Sequence, residues 1–286
     1  MDNVAICFIV KDGDKYLEKN LMKIIQFGDL YIDNYRIYYV ENDSVDKPNE
    51  ILDKFKKKYN NIYGKHLKLD GKHSTDLCNK LDEYNCSNRT QRLAFIRNRV
   101  LNQAKEWKEC NYIFMLDLDF IEFDINELHN MFNIIKKSKN INGIFGMSIT
   151  NKGFFYDIGA VKPSYKLVDI FLQLNLVKVD SAFSGFGIYK MKYIIDNNVK
   201  YNEKTNQIEH IYFNEQIKNL YVYSNFRPKY YNVRALCFYY IIITILFILL
   251  IIFSGYFSKV ISIFLAISYI FKFQNDYNER YAYKYL

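Results

Sequence analysis

The residues of this chain with the clearest chemical potential are two carboxylates one position apart. Asp117 and Asp119 close the apolar run Tyr112-Ile-Phe-Met-Leu-Asp-Leu-Asp-Phe120. Such a run fits a strand buried on both faces of a parallel sheet, and these sheets present ligand sites at the carboxyl ends of their strands. Side chains at i and i+2 of an extended segment point the same way, so both carboxylates can address one hard cation that prefers oxygen ligands. The chemistry this suits is a divalent metal bridging a diphosphate. A bare Asp-x-Asp is also what a solvated strand-to-loop turn looks like. Its place directly behind so apolar a run is what favours the site.

The flanking elements read as the scaffold for such a strand. Val4–Val10 is a first buried strand, Tyr16–Phe27 places Leu17, Leu21, Ile24 and Ile25 at helical spacing, and Tyr35–Val40 is a second strand that runs into the polar turn Glu41-Asn-Asp-Ser-Val-Asp46. Strand, helix, strand and polar turn make an α/β nucleotide-binding opening. A basic helix is predicted over Glu50–Tyr59 and a third strand over His66–Asp70. The polar stretch Gly71–Thr90, with His73, Cys78 and Cys86, reads as a surface loop. Arg89–Leu101 is a helix with Leu93, Ile96, Val100 and Leu101 as its buried stripe. After the central strand come a helix over Ile125–Lys137, a strand over Gly143–Ile149, the loop Phe154–Ala160, a glycine-containing segment at Val179–Tyr189, and a polar helix entry at Ile208–Ile217.

Composition narrows the class. The formal net charge is +8 over 286 residues, but seven basic residues and only two acidic ones lie from Arg227 onward, beside an apolar segment. That distribution suits a membrane flank rather than a nucleic-acid groove, so no nucleic-acid partner is expected. The five cysteines, Cys7, Cys78, Cys86, Cys110 and Cys237, form no Cys-x-x-Cys pair, which disfavours a zinc site or a disulfide framework. A nucleotidyltransferase would need a glycine-rich phosphate loop with lysine, and the sequence has none.

The order of the motifs carries a resemblance. Glu41-Asn-Asp-Ser-x-Asp after a strand, Arg97-Asn-Arg in the helix before the central strand, Asp117-x-Asp119, Tyr156-Asp-Ile-Gly-Ala, Ser184-Gly-Phe-Gly-Ile-Tyr, and Glu209-His210 with Phe213-Asn214 follow one another. Over residues 3 to about 225 this resembles GT-A fold glycosyltransferases, particularly the cryptococcal mannosyltransferase and capsule-associated group and its bacterial and giant-virus relatives. The resemblance implies a Rossmann-like, mostly parallel sheet flanked by helices. It implies a metal-dependent enzyme that transfers a sugar, expected to be a hexose, from a nucleotide-diphosphate sugar to a glycan, protein or lipid-linked acceptor.

Roles follow from it residue by residue. Glu41, Asn42 and Ser44 match the turn that touches the nucleoside, Arg97 the arginine that holds the nucleotide or diphosphate, and Gly185 a point of close approach to the sugar. Asp117 and Asp119 match the binders of Mn²⁺ or Mg²⁺, with Asp117 also facing the donor, and His210 matches the late histidine that completes the shell. An inverting reaction requires a base within reach of the acceptor hydroxyl. Glu209 and Asp157 are the candidates, Glu209 preferred for its place beside His210, whereas a retaining reaction needs no such base. This chain departs from many relatives at Ile208, where they carry cysteine, and at Gly159, where they carry a large aromatic. Both changes bear on acceptor specificity.

Beyond a glycosyltransferase domain at residues 1–228, residues 229–286 read as a C-terminal membrane anchor. Ala235–Phe253 is uncharged throughout and long enough to cross a bilayer as helix. The expected span is 235–254, with a second, shorter one at 258–273 if the chain turns back. A core strand so near Met1 leaves no room for a secretory leader, and glycosylation at the sequon Asn42-Asp43-Ser44 would block the nucleotide turn. Both place the catalytic domain on the cytosolic side. The alternative to an enzyme is a catalytically inactive, membrane-anchored module that binds glycans or a partner on the same fold.

Overall fold

The computed structural model describes residues 1–67 and 89–230, apart from 152, 154, 165, 167–174 and 205–206. The stretch 68–88, with His73, Cys78 and Cys86, and the two apolar runs of the expected anchor lie outside the described residues. Among the described residues no helix is long and apolar enough to cross a membrane.

The chain opens with β1 (Asn3–Val10), α1 (Asp14–Tyr31), β2 (Asn34–Asn42), α2 (Pro48–Lys58) and β3 (Ile62–Leu67). α3 (Arg89–Lys105) then leads to β4 (Tyr112–Asp117), the central run, and to the short β5 (Phe120–Glu122). α4 (Ile125–Lys137), β6 (Gly143–Gly146) and β7 (Ile149–Thr150) follow. The remainder comprises a 3₁₀ turn at Ile158–Ala160, β8 (Leu176–Val179), β9 (Phe186–Lys190), α5 (Met191–Asp196), α6 (Glu209–Glu215), β10 (Leu220–Tyr223) and β11 (Lys229–Tyr230). α4 starts where Asp124 caps it, its carboxylate accepting from the Asn126 and Glu127 amides.

Eight strands form one sheet in the order β3-β2-β1-β4-β9-β6-β10-β8, parallel from β3 through β4. This is the α/β, mainly parallel arrangement the sequence predicts. β9 departs from it, running antiparallel between β4 and β6. β3 also starts earlier than expected, because buried Ile62 pairs with Ile37 while the predicted start, His66, stands opposite Glu41 near the strand's end.

Alternation in the strands feeds two apolar layers, one on each face. Val4, Ile6 and Phe8 of β1 with Phe114 and Leu116 of β4 pack against α1, α2 and α4. Ala5 and Cys7 with Ile113 and Met115 pack against α3, α5 and α6. Period two therefore sends Asp117 toward the α3 and α6 face and Leu118 toward the α1 face. Cys7 and Cys110 are both buried free thiols.

A second sheet, β5-β11-β7, stands beside the first. Lys229 reaches Glu122 across it at 2.5 Å. β11 pairs with β5 on one side and β7 on the other.

Candidate functional site

The carboxyl end of β4 gathers acids from three places in the chain. Asp117 ends the strand, Asp157 comes from the segment before the 3₁₀ turn, and Glu209 opens α6. Arg97, on the inner face of α3 and only 3% exposed, joins two of them, with Nη2 2.9 Å from Asp117 Oδ1 and Nε 3.3 Å from Glu209 Oε1. Its guanidinium also lies 5.0 Å from the Phe183 ring centroid. Burial opposes the Arg97 charge, yet Asp117 and Glu209 more than offset it and push its pKa up, so it stays a cation. Arg97, expected from sequence to hold the nucleotide or diphosphate, is engaged by Asp117 and Glu209 in this structure.

Asp157 is the acid left without a cation of its own. Burial, and then the charge of Asp117, push its carboxyl up to about 7; Glu209 adds to this, while the Ser184 amide and Arg97 act the other way. The Ser184 amide donates to Asp157 Oδ2 at 3.3 Å. Asp157 itself takes a left-handed backbone with φ of 58°, as do Ser184 at 55° and Gly185 at 72°. Aspartate tolerates this region better than most residues, and glycine best of all.

Gly185 is held to its small size by what faces it. A Cβ there would run into the Tyr230 hydroxyl. That hydroxyl lies 3.3 Å from both the Asp117 and Gly185 carbonyl oxygens and can donate to one at a time. The Asp117 amide in turn donates to the Gly185 carbonyl at 2.9 Å, which registers the entry to β9 against the end of β4. Tyr156 stacks on Tyr230 with centroids 4.0 Å apart. Burial and then the charges of Asp119 and Asp117 raise the Tyr230 pKa.

Asp119 is exposed, between the buried Leu118 and Phe120. His210 is buried, stacked on Phe183 at 3.4 Å between centroids, with Nδ1 3.4 Å from the Tyr201 hydroxyl and Nε2 3.7 Å from Glu209 Oε1. Burial and then Arg97 hold its pKa well below the usual value, so the ring is neutral. Among the described residues no three His, Cys, Asp or Glu side chains converge to hold an ion, so Asp117, Asp119 and His210 are not assembled as the complete shell expected. The donors nonetheless suit a hard divalent cation. Acids outnumber the single guanidinium, and the neutral His210 ring has a buried Nε2 without a hydrogen-bond partner. A two-carboxylate site completed by substrate phosphate oxygens is a common way to hold Mg²⁺.

The nucleoside-side residues stand on the same edge of the sheet. Ile9 of β1 pairs with Val40 on one side and with Asp117 on the other, so the end of β2 lies about 10 Å from Asp117, two strand spacings across. Glu41 is buried there. Its Oε1 accepts the Ser44 amide at 3.0 Å and its Oε2 meets His66 Nδ1 at 3.3 Å, while His66 Nε2 meets Asp53 at 3.3 Å. Ser44 Oγ accepts the Asp12 amide at 3.1 Å. Glu41 and Ser44 therefore shape the turn, and Asn42, also buried, follows Glu41 at the strand end.

Sequence reasoning missed Tyr230 and Phe183, aromatic residues among many, whose partners at the site, Asp117, Gly185, Arg97 and His210, are far from them in the chain and meet them only in the fold. No family model and no curated protein sequence matches the chain. In fold it is similar to S. aureus TarS 1-349, also solved in complex with UDP-GlcNAc, at 15% identity and TM-score 0.52, covering 81% of this chain and 59% of that one. It is likewise similar to GalNAc-T7, solved with UDP, GalNAc and Mn²⁺, at 12% identity and TM-score 0.50, covering 81% of this chain and 44% of that one. The chain thus spans less than two thirds of either relative. What it shares with them is an α/β fold with a mainly parallel central sheet.

Proposed function

We propose that this protein is a membrane-anchored, metal-dependent glycosyltransferase of GT-A type, moving a hexose from a nucleotide-diphosphate sugar to an acceptor hydroxyl. The observation that carries this reading is the convergence of Asp117, Asp157 and Glu209 on Arg97 at the carboxyl end of β4, with exposed Asp119 just beyond. The fold shared with proteins solved holding UDP-GlcNAc, or UDP, GalNAc and Mn²⁺, supports it.

In this reading Asp119 and Asp117 would hold Mn²⁺ or Mg²⁺, with His210 Nε2 as a further donor. A bound divalent cation offsets the negative charge that builds on the departing diphosphate. Arg97 holds Asp117 and Glu209 in place through its two ion pairs. The turn Glu41, Asn42 and Ser44 receives the nucleoside, Glu41 acting through the backbone it braces, and Gly185 offers its backbone to the donor sugar.

For an inverting transfer, Asp157 is the better base. Its carboxyl near 7 accepts a proton readily close to neutrality, whereas Glu209 is buried and already held by Arg97. The apolar run after Arg234 anchors the enzyme with its site at the cytosolic face, and the acceptor is a lipid-linked, glycan or protein hydroxyl. The specific resemblance to the cryptococcal group and its relatives rests on the motif order alone.

A panel of nucleotide sugars offered to the full-length protein with Mn²⁺ or Mg²⁺ tests this by release of nucleoside diphosphate. Turnover of one donor that needs metal and is lost in Asp119→Asn supports the enzyme. The second reading, an inactive binding module, is favoured by the unassembled three-ligand shell. Metal-dependent donor binding without turnover supports that reading, and neither binding nor turnover with any donor overturns the donor site itself.

A further inference from the structure

Asn20 is a fully buried polar side chain in the apolar stripe of α1, three positions after Leu17 and four before Ile24. Its amide Nδ2 donates to the Leu118 carbonyl at 2.8 Å and to the Phe120 carbonyl at 2.6 Å. Those two carbonyls bracket Asp119. The same helix adds Lys19 Nζ at 3.1 Å from the Ile121 carbonyl and Lys23 Nζ at 2.7 Å from the Phe123 carbonyl. Three α1 side chains within five positions thus grip four carbonyls of the segment that leaves β4.

We propose that Asn20, supported by Lys19 and Lys23, is a positioning residue for Asp119, holding the backbone on both sides of that carboxylate in the geometry metal binding requires. The proposal rests on the reading of Asp119 as a metal ligand. Both hydrogens of the Asn20 amide are committed to these carbonyls, and Oδ1 has no partner. A buried group placed so that its acceptor goes unmet, while both donors meet one loop, is arranged for the loop. Leu118 and Phe120 are buried, so their side chains fix the segment from beneath, and Asp119 projects outward between them. Its reach is set chiefly by that backbone. Groups that orient a metal ligand without touching the metal commonly change affinity by about 10- to 100-fold when removed.

The test uses the full-length protein, with free Mn²⁺ followed by electron paramagnetic resonance and amide hydrogen exchange followed over residues 118–123. Asn20→Leu keeps the volume and removes both donors. It is expected to weaken Mn²⁺ binding about tenfold or more and to speed exchange in 118–123. Leu21→Ala, equally buried in the same helix but directed at the core, is the control for general destabilisation. It is expected to lower the melting temperature and to leave Mn²⁺ affinity within about twofold, because leucine offers the bracketing carbonyls no hydrogen-bond donor.

Should Asn20→Leu fail to fold, Lys19→Met with Lys23→Met removes the two outer contacts from part-exposed positions. That double variant is expected to weaken Mn²⁺ about threefold or more, on the same reasoning. Unchanged affinity in the donor-removing variants, or an equal loss in Leu21→Ala, overturns the positioning role while wild-type binding stands. Absence of Mn²⁺ binding to the wild type, with and without nucleoside diphosphate, overturns the metal reading beneath it.

Discussion

Asp157→Asn isolates the electrostatic state of the acid cluster. Burial and the neighbouring Asp117 move this carboxyl from 3.8 to about 7 in the folded protein. A raised value means that the folded state keeps a proton the unfolded chain releases. The group's stabilising contribution is therefore complete below about pH 4 and is lost as the pH rises through about 7. A gap of roughly 3 pH units at about 1.4 kcal/mol each sets a ceiling of about 4 kcal/mol. Asp157 is coupled to two more carboxylates and partly open to water, so about 2 kcal/mol is the expected size. Asparagine cannot ionise. The stability of Asp157→Asn relative to wild type should thus rise by about 2 kcal/mol between pH 4.5 and pH 8.

The assay is urea unfolding of both proteins across that range, with divalent cations chelated and unfolding read from Trp107, the single tryptophan and a buried one. Added Mn²⁺ should narrow the difference, since a cation in the cluster stabilises the ionised wild type. Transfer by Asp157→Asn should fall about 100-fold or more if the carboxyl is the base. Parallel stability curves for the two proteins would refute the reasoning, because the cluster would then impose no cost on an ionised Asp157.

Arg97→Met leaves the buried Glu209 and the half-buried Asp117 without their shared cation, and is expected to cost about 3 kcal/mol, read as a large fall in melting temperature; a wild-type melting temperature contradicts this. Gly185→Ala combines a backbone at φ of 72° with a Cβ driven into the Tyr230 hydroxyl. It should destabilise by about 1 to 3 kcal/mol and abolish donor turnover, measured in parallel. Asp119→Asn alters an exposed side chain, so stability should stay within about 0.5 kcal/mol while Mn²⁺ binding is lost, and retained binding contradicts the ligand assignment.

The scaffold was legible wherever side-chain period and burial coincide. The continuous apolar run Tyr112–Leu116 predicts a strand buried on both faces, with Asp117 at its carboxyl end. Ile125–Lys137 has a capping Asp124 directly before it and forms the helix predicted over those residues. The glycines near 185 hid a strand, because Phe186–Lys190 pairs on both sides with distant segments and local pattern carries no record of that. Within the site, residue type and position pointed to Asp117 and Asp119, while Arg97, Asp157 and Glu209 came from the resemblance. Arg97 reads from spacing as one more basic position on a helix, and only the fold shows it between two acids. Asn20 did leave a trace, as a polar residue at a position of the stripe that should be apolar. Tyr230 left none, its contacts lying more than forty residues away.

The placement of β11 bears on the order in which the molecule can be built. Strands β1 to β4 form a parallel block whose pieces are all present once Asp117 has been synthesised. The surroundings of that aspartate are supplied much later, by Glu209, by the segment through Gly185, and finally by Tyr230. Contacts spanning 113 residues close slowly relative to local ones. The site is closed only by the last strand, so a chain stopped at residue 228 should keep most of its core and lose the site's closing strand.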